Sequence, residues 1–127
     1  MLNPKQKNIL IINDSPTLNT LLQLILEAER FSVTVAETGL SGLEEAETGK
    51  YNLILLDYVL PDISGLEVCK KLRTDNLTKN TPIAFISGMD EDKISEKIKN
   101  AGADAYINPP YIGDAFIDRI NELIWIN

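Results

Sequence analysis

Three short apolar runs mark the chain: NILII at 8–12, NLILL at 52–56 and PIAFI at 82–86. Each is rich in branched side chains and does not alternate with polar residues, which is the pattern of strands buried on both faces of a parallel sheet. FSVTVAE at 31–37 does alternate, with Val33 and Val35 on one face, and predicts an edge strand. DAYIN at 104–108 predicts a fifth, short strand at the other edge.

Helical spacing fills the intervals. Leu18, Leu21, Leu22, Ile25 and Leu26 form an apolar stripe, opened by Ser15 as N-cap with Pro16 in the first turn. Leu40, Leu43 and Ala46 predict a short second helix that stops near Gly49. SGLEVCKKLR opens with Ser64 and Glu67 at capping-box spacing. DEDKISEKIKNAG places acids first and lysines later, in accord with the helix dipole, and Gly102 ends it. Its stripe of Ile94, Ile98 and Ala101 is thin, so this helix is expected to dock least firmly. Phe116, Ile117, Ile120, Leu123 and Ile124 give the last helix. Strand and helix thus alternate five times, which predicts an α/β fold: a doubly wound five-stranded parallel sheet between two layers of helices, in one domain.

Size and composition agree with that outline. The 127 residues suffice for one core, and 44% hydrophobic with 24% charged residues is ordinary for a globular protein. No apolar run is long enough to span a membrane, and MLNPKQKNIL lacks the anatomy of a signal peptide. The one cysteine, Cys69, lies on an apolar helix face, reads as a small core residue and fits a reducing cytoplasm. A net charge of −7 without a basic stripe argues against direct nucleic-acid binding. The lack of histidine and of a cysteine pair argues against structural zinc and Ser-His or Cys-His catalysis. The remaining chemistry is carboxylates and hydroxyls, which suits a hard cation such as Mg²⁺.

Ligands of open α/β sheets bind beyond the carboxyl ends of the strands. There the chain places Asn13 and Asp14, then Asp57, then Ser87, then Asn108, Pro109 and Pro110. A lone polar residue at a strand end is ordinary turn chemistry, and Asp14 or Ser87 taken alone means no more than that. Asp57 stands apart, because it directly follows four apolar residues near the sheet centre. Two carboxylates held together repel, and a Mg²⁺ bridging Asp14 and Asp57 would relieve the repulsion.

These segments, ILIINDSPTLNTLL, LILLDYVLPDISGLEVCKKLR, TPIAFISG and AGADAYINPPY, together resemble the receiver domain of two-component response regulators over nearly the whole chain. The resemblance implies a flavodoxin-like strand order of 2-1-3-4-5 and a receiver domain over 1–127, with its core at about 7–125 and no output domain in this chain. It implies that Asp57 is the phosphoacceptor, forming a 4-aspartylphosphate with a phosphoryl group from a histidine kinase or histidine phosphotransfer protein. Asp14 then falls on a direct Mg²⁺ ligand, Val59 on a backbone-carbonyl ligand, Ser87 on the switch hydroxyl and Tyr106 on the switch aromatic. Such a domain signals in the cytoplasm; it is no enzyme beyond its own phosphorylation and dephosphorylation. The face of the fourth helix, fifth strand and fifth helix is a candidate surface for homodimers or output partners.

The family's pattern is broken twice. Its first acid is here Asn13, which can hold a metal-bound water but brings no charge, so Mg²⁺ should bind weakly. One charge pair at about 4 Å is worth roughly 4 kcal/mol at an effective dielectric near 20, before desolvation. The family's lysine falls on Pro109; sliding the register by one puts Asn108 there and restores no charge. By the same count the Pro109–Pro110 bond is expected to be cis. Two readings follow: a working Mg²⁺-dependent receiver, or a degenerate receiver that acts as a phosphorylation-independent interaction module. A dehalogenase-like phosphatase would need a second aspartate where Val59 stands, and no P-loop motif is present.

Overall fold

The computed structural model describes residues 6–125, without the side chain of Glu91, so the two ends of the expected 1–127 domain lie outside the described residues. In chain order the elements are β1 (Asn8–Ile12), α1 (Pro16–Ala28), β2 (Ser32–Ala36), α2 (Gly39–Ala46), β3 (Leu53–Asp57), α3 (Gly65–Thr74), β4 (Ile83–Ile86), α4 (Glu91–Asn100), β5 (Ala105–Ile107) and α5 (Gly113–Ile124). All strand pairings are parallel, in the order β2-β1-β3-β4-β5. The chain winds one way from β1 to β2 and the other way from β1 to β3, so the topological switch lies between β1 and β3.

Strand parity sorts the core into two layers. Leu10, Ile12, Ile54, Leu56 and Phe85 pack with Val68, Cys69, Leu72, Ile94, Ile98 and Tyr106, on the face covered by α2, α3 and α4. Ile9, Ile11, Leu53, Leu55, Ala84, Ile86 and Ile107 pack with Leu22, Leu26, Tyr111, Phe116, Ile120 and Leu123, on the face covered by α1 and α5. Cys69 is fully buried and its thiol donates to the carbonyl of Ala101 at 3.3 Å. Val33 and Val35 of the edge strand β2 turn to the α1/α5 face.

Two helix stripes differ from the sequence expectation. Leu21 and Leu40 face solvent, at 42% and 59% exposure. On α2 the buried positions are Gly39, Gly42 and Ala46, because the helix lies so close to the sheet that a Cβ on Gly42 would come within 2.6 Å of Ile12. On α1 the inward position beside Leu22 is polar: Asn19 is 5% exposed. The α3 cap is one-sided, with Ser64 Oγ accepting from Glu67 N at 3.1 Å. The reciprocal box forms on α2, between Thr38 and Ser41.

Candidate functional site

The strand register brings the carboxyl ends of β1, β3, β4 and β5 level. Ile12 pairs with Leu56, Asp57 with Ile86, and Ile86 with Ile107. Asp57 is therefore the last residue of a central strand rather than the first residue after it, and its parity with Leu53 and Leu55 sets it toward the α1/α5 face. It is half-buried, and burial is the main cause that raises its carboxyl pKa. The charge of Asp14 raises it further, while the backbone N–H groups of Val59 and Tyr58 oppose the shift. Val59 N–H donates to Asp57 Oδ1 at 3.4 Å. Among the described residues no lysine or arginine forms an ion pair with it.

The loop from Asp57 to α3 is held at both ends. Both carboxylate oxygens of Asp62 accept from the start of α2, from Gly39 N and Leu40 N at 2.8 Å each. These donors and the helix dipole suit an anion, and the Leu40 N–H is the largest cause lowering the Asp62 pKa. At the other end Gly65 N–H donates to Tyr58 O at 3.0 Å. Gly65 lies so close that a Cβ there would sit 2.2 Å from the Asp57 carbonyl oxygen and 2.9 Å from the Phe85 ring.

On the α1 side Asp14 is exposed, whereas Asn13 is 1% exposed. Asn13 Nδ2 donates to Asn19 Oδ1 at 2.9 Å, and Asn19 Nδ2 donates back to the Asn13 carbonyl at 2.8 Å. This paired amide satisfies buried polar atoms without adding charge. For a divalent cation the pocket offers two carboxylates, Asp14 and Asp57, with backbone and amide oxygens nearby. Oxygen donors and the mutual repulsion of the two acids fit Mg²⁺. Among the described residues no group of three or more acid, histidine or cysteine side chains converges, so the remaining ligands would be backbone or water.

On the α4 side Ser87 follows β4 and is half-buried, its Oγ accepting from Met89 N at 3.1 Å. Tyr106 on β5 is 9% exposed, with its ring in the α2–α4 layer. Its hydroxyl is directed at the carbonyls of Met89 and Ser87, at 2.5 and 2.9 Å. The tyrosine thus anchors the loop that carries Ser87. After β5 come the exposed Asn108, Pro109 and Pro110; the Pro109–Pro110 bond is cis. Tyr111 then returns to the core at 7% exposure, its ring edge against Phe116 with centroids 5.8 Å apart.

Sequence reading placed Asn13, Asp14, Asp57, Ser87, Asn108, Pro109 and Pro110 at the carboxyl ends of the strands, and the strand register puts them at that edge; Tyr106, expected from the resemblance alone, lies within β5. The reading did not single out Asn19, Asp62 or Gly65. Pro61-Asp62 carried a turn signal, and Asn19 was a polar residue one turn after the Ser15 cap. Gly65 gave no sign of its close approach.

Residues 9–121 match the model of the response regulator receiver domain. The cell cycle transcriptional regulator CtrA of Caulobacter vibrioides is 38% identical over 116 residues, 91% of this chain and 49% of CtrA. The chain thus spans about half the length of the curated relatives it matches. Among solved structures, a CheY-like response regulator receiver domain protein from Methanospirillum hungatei superposes with a TM-score of 0.86 at 32% identity, covering 94% of each chain. The receiver domain of the sensor histidine kinase PA1611 of Pseudomonas aeruginosa, solved with a magnesium ion coordinated in the active-site cleft, gives 0.84 at 25% identity, covering 94% of this chain and 98% of that one. In fold, in the order of its strand-end residues and in these matches, the chain belongs to the response regulator receiver domain family.

Proposed function

We propose that Asp57 accepts a phosphoryl group from a phosphohistidine on a partner kinase or phosphotransfer protein, and that the Ser87–Tyr106 side of the pocket reports it. One observation carries this reading: a half-buried carboxylate at the end of the central strand, raised in pKa by burial and by Asp14, with no side-chain cation bonded to it among the described residues. A raised pKa makes the ionised carboxylate a stronger base and a better nucleophile. An Asp57 oxygen attacks phosphorus; the O–P bond forms as the N–P bond breaks, and the leaving imidazole keeps the electron pair and takes a proton from solvent. Mg²⁺, held by Asp14, Asp57, the Val59 carbonyl and, through water, Asn13, would supply positive charge to the phosphoryl oxygens. The Val59 N–H already points at the carboxylate, and the Ser87 hydroxyl has its own hydrogen to donate once it turns from Met89 N–H. Tyr106, bonded to the same loop, moves or tightens with it.

The groove lined by Tyr106, Ile107, Pro110, Ile112 and Phe116 supports docking, or a homodimer, on the α4-β5-α5 face. No described helix is long and apolar enough to cross a membrane, and the reading places the chain's work in the cytoplasm. Intact-mass measurement with acetyl phosphate and Mg²⁺ tests the proposal. The protein should gain one phosphoryl group and Asp57→Asn none; an unmodified wild-type protein sinks it.

The degenerate receiver remains a second reading, favoured by the Asn13–Asn19 amide pair and by Pro109. It predicts partner binding that is the same for wild type and Asp57→Asn, with or without phosphodonor.

A further inference from the structure

Asn13 and Asn19 are held in one orientation by an acceptor that cannot change. The backbone carbonyl of Asn13 can only accept, so the end of Asn19 that faces it at 2.8 Å is Nδ2. That turns Asn19 Oδ1, also an acceptor only, to the Asn13 side chain, and the end of Asn13 that meets it at 2.9 Å is Nδ2. Reversing either amide would set oxygen against oxygen. Oδ1 is therefore the end of Asn13 turned away from Asn19. No described residue donates to it, yet it is not a buried unpartnered atom, because the one such side-chain atom among the described residues is Asn8 Oδ1. Asn13 is 1% exposed, and that oxygen is where it meets solvent.

The oxygen opens at the strand-end edge. Ile12 pairs with Leu56, so Asn13 and Asp57 stand side by side one step further along β1 and β3. The Asn13 N–H continues the ladder to Ala36 O at 3.0 Å. Its side chain meets α1 through Asn19, on the face to which Asp57 is set by its parity with Leu53 and Leu55. We infer that Asn19 is a positioning residue for the cation: it holds Asn13 with its carbonyl oxygen toward the Asp14–Asp57 pocket, so that a neutral side chain still serves there as an oxygen ligand, through water. This inference rests on Asp14 and Asp57 holding Mg²⁺. An amide has a lone-pair end and an N–H end. Turned the other way, Asn13 would present a donor to the cation and to the water on it, and would bind neither. A carboxylate has oxygen at both ends and needs no such lock.

That difference supplies the test: a Mg²⁺ titration followed by the amide shifts of Asp14 and Val59, with Asn19→Leu compared in two backgrounds. In the wild-type background Asn19→Leu should weaken Mg²⁺ binding about fivefold, the loss expected when one hydrogen bond no longer fixes the ligand oxygen. In the Asn13→Asp background the same change should leave Mg²⁺ affinity within about twofold, as for independent sites. Asn19→Ser is small enough to admit water, which donates or accepts and so imposes no orientation. It should show the same dependence on residue 13, and it carries the comparison if Asn19→Leu does not fold. Equal Mg²⁺ affinity of wild type and the Asn19 variants overturns the inference alone. So does an equal loss in both backgrounds, which marks packing rather than orientation. Wild-type protein whose spectrum does not respond to Mg²⁺ overturns the cation site together with this inference.

Discussion

The two flanks of Asp57 are built to different standards. On the α3/α4 flank the parts interlock: Asp62 fastens the loop after Asp57 to α2, Gly65 seats α3 against the Asp57 carbonyl, and Tyr106 ties the Ser87–Met89 loop to β5. On the α1/α5 flank the exposed carboxylate of Asp14 stands beside neutral groups: Asn13 and Asn19 form a buried amide pair, and Pro109 brings no charge. The first flank is mechanical, held by fitted contacts; the second is electrostatic and thinly charged. Mechanical parts depend on contact and are lost all at once; electrostatic parts act over distance and can be replaced by weaker ones.

The largest effect should come from breaking the mechanical flank. Gly65→Val forces a Cβ into the Asp57 carbonyl oxygen and should cost about 3 kcal/mol or more of stability, seen as a fall in melting temperature. On the electrostatic flank, Asn13→Asp should tighten Mg²⁺ about tenfold by calorimetry, because a charge is added to the cation site. Without metal the same variant should melt lower than wild type. The new carboxylate meets the Asn19 oxygen and repels Asp14 and Asp57.

Two nearby aspartates, one ending β3 and one in the loop after it, give opposite responses to pH. The pKa of Asp57 is raised in the folded chain, so the fold favours its protonated form; its contribution is fully present below the unfolded value of about 3.9 and is lost as pH rises through the folded value. Asp57→Asn should therefore raise the melting temperature at neutral pH, with the gap closing below about pH 4. The pKa of Asp62 is lowered, so its capping of α2 stabilises above the unfolded value and fades as pH falls through the folded one. Asp62→Ala should lower the melting temperature at neutral pH by a smaller amount, with the difference fading only in acid. Both are read from paired melting curves against pH.

The contrast also explains what the sequence made legible. Buried parallel strands announce themselves as apolar runs, so the sheet and Asp57, Ser87 and Asp14 at its edge were readable within a residue or two. Asp57 itself was read as following its strand, because a carboxylate rarely ends a buried run, yet it still pairs with Ile86. Stripes failed where a helix approaches closely: Gly39 and Gly42 take the inward positions of α2 and leave Leu40 in solvent. The amide pair on the α1/α5 flank was hidden for another reason. Asn19 acts through Asn13, six residues away across a turn, and no hydrophobic periodicity marks such a pair. The ring of Trp125 lies under Lys7, its centroid 4.3 Å from Nζ, at the amino end of β1 and thus at the edge opposite Asp57, so its fluorescence should respond poorly to the site.

The α3/α4 flank should still answer to Asp57. The direct measurement is a set of amide spectra of wild-type protein with Mg²⁺ and beryllofluoride, with Asp57→Asn as control. The predicted result is a set of shifts concentrated at Val59, Ser87, Met89 and Tyr106 that appears only as Mg²⁺ is raised and is absent from Asp57→Asn. Spectra that stay unchanged at saturating Mg²⁺, or that change identically in the two proteins, would contradict it.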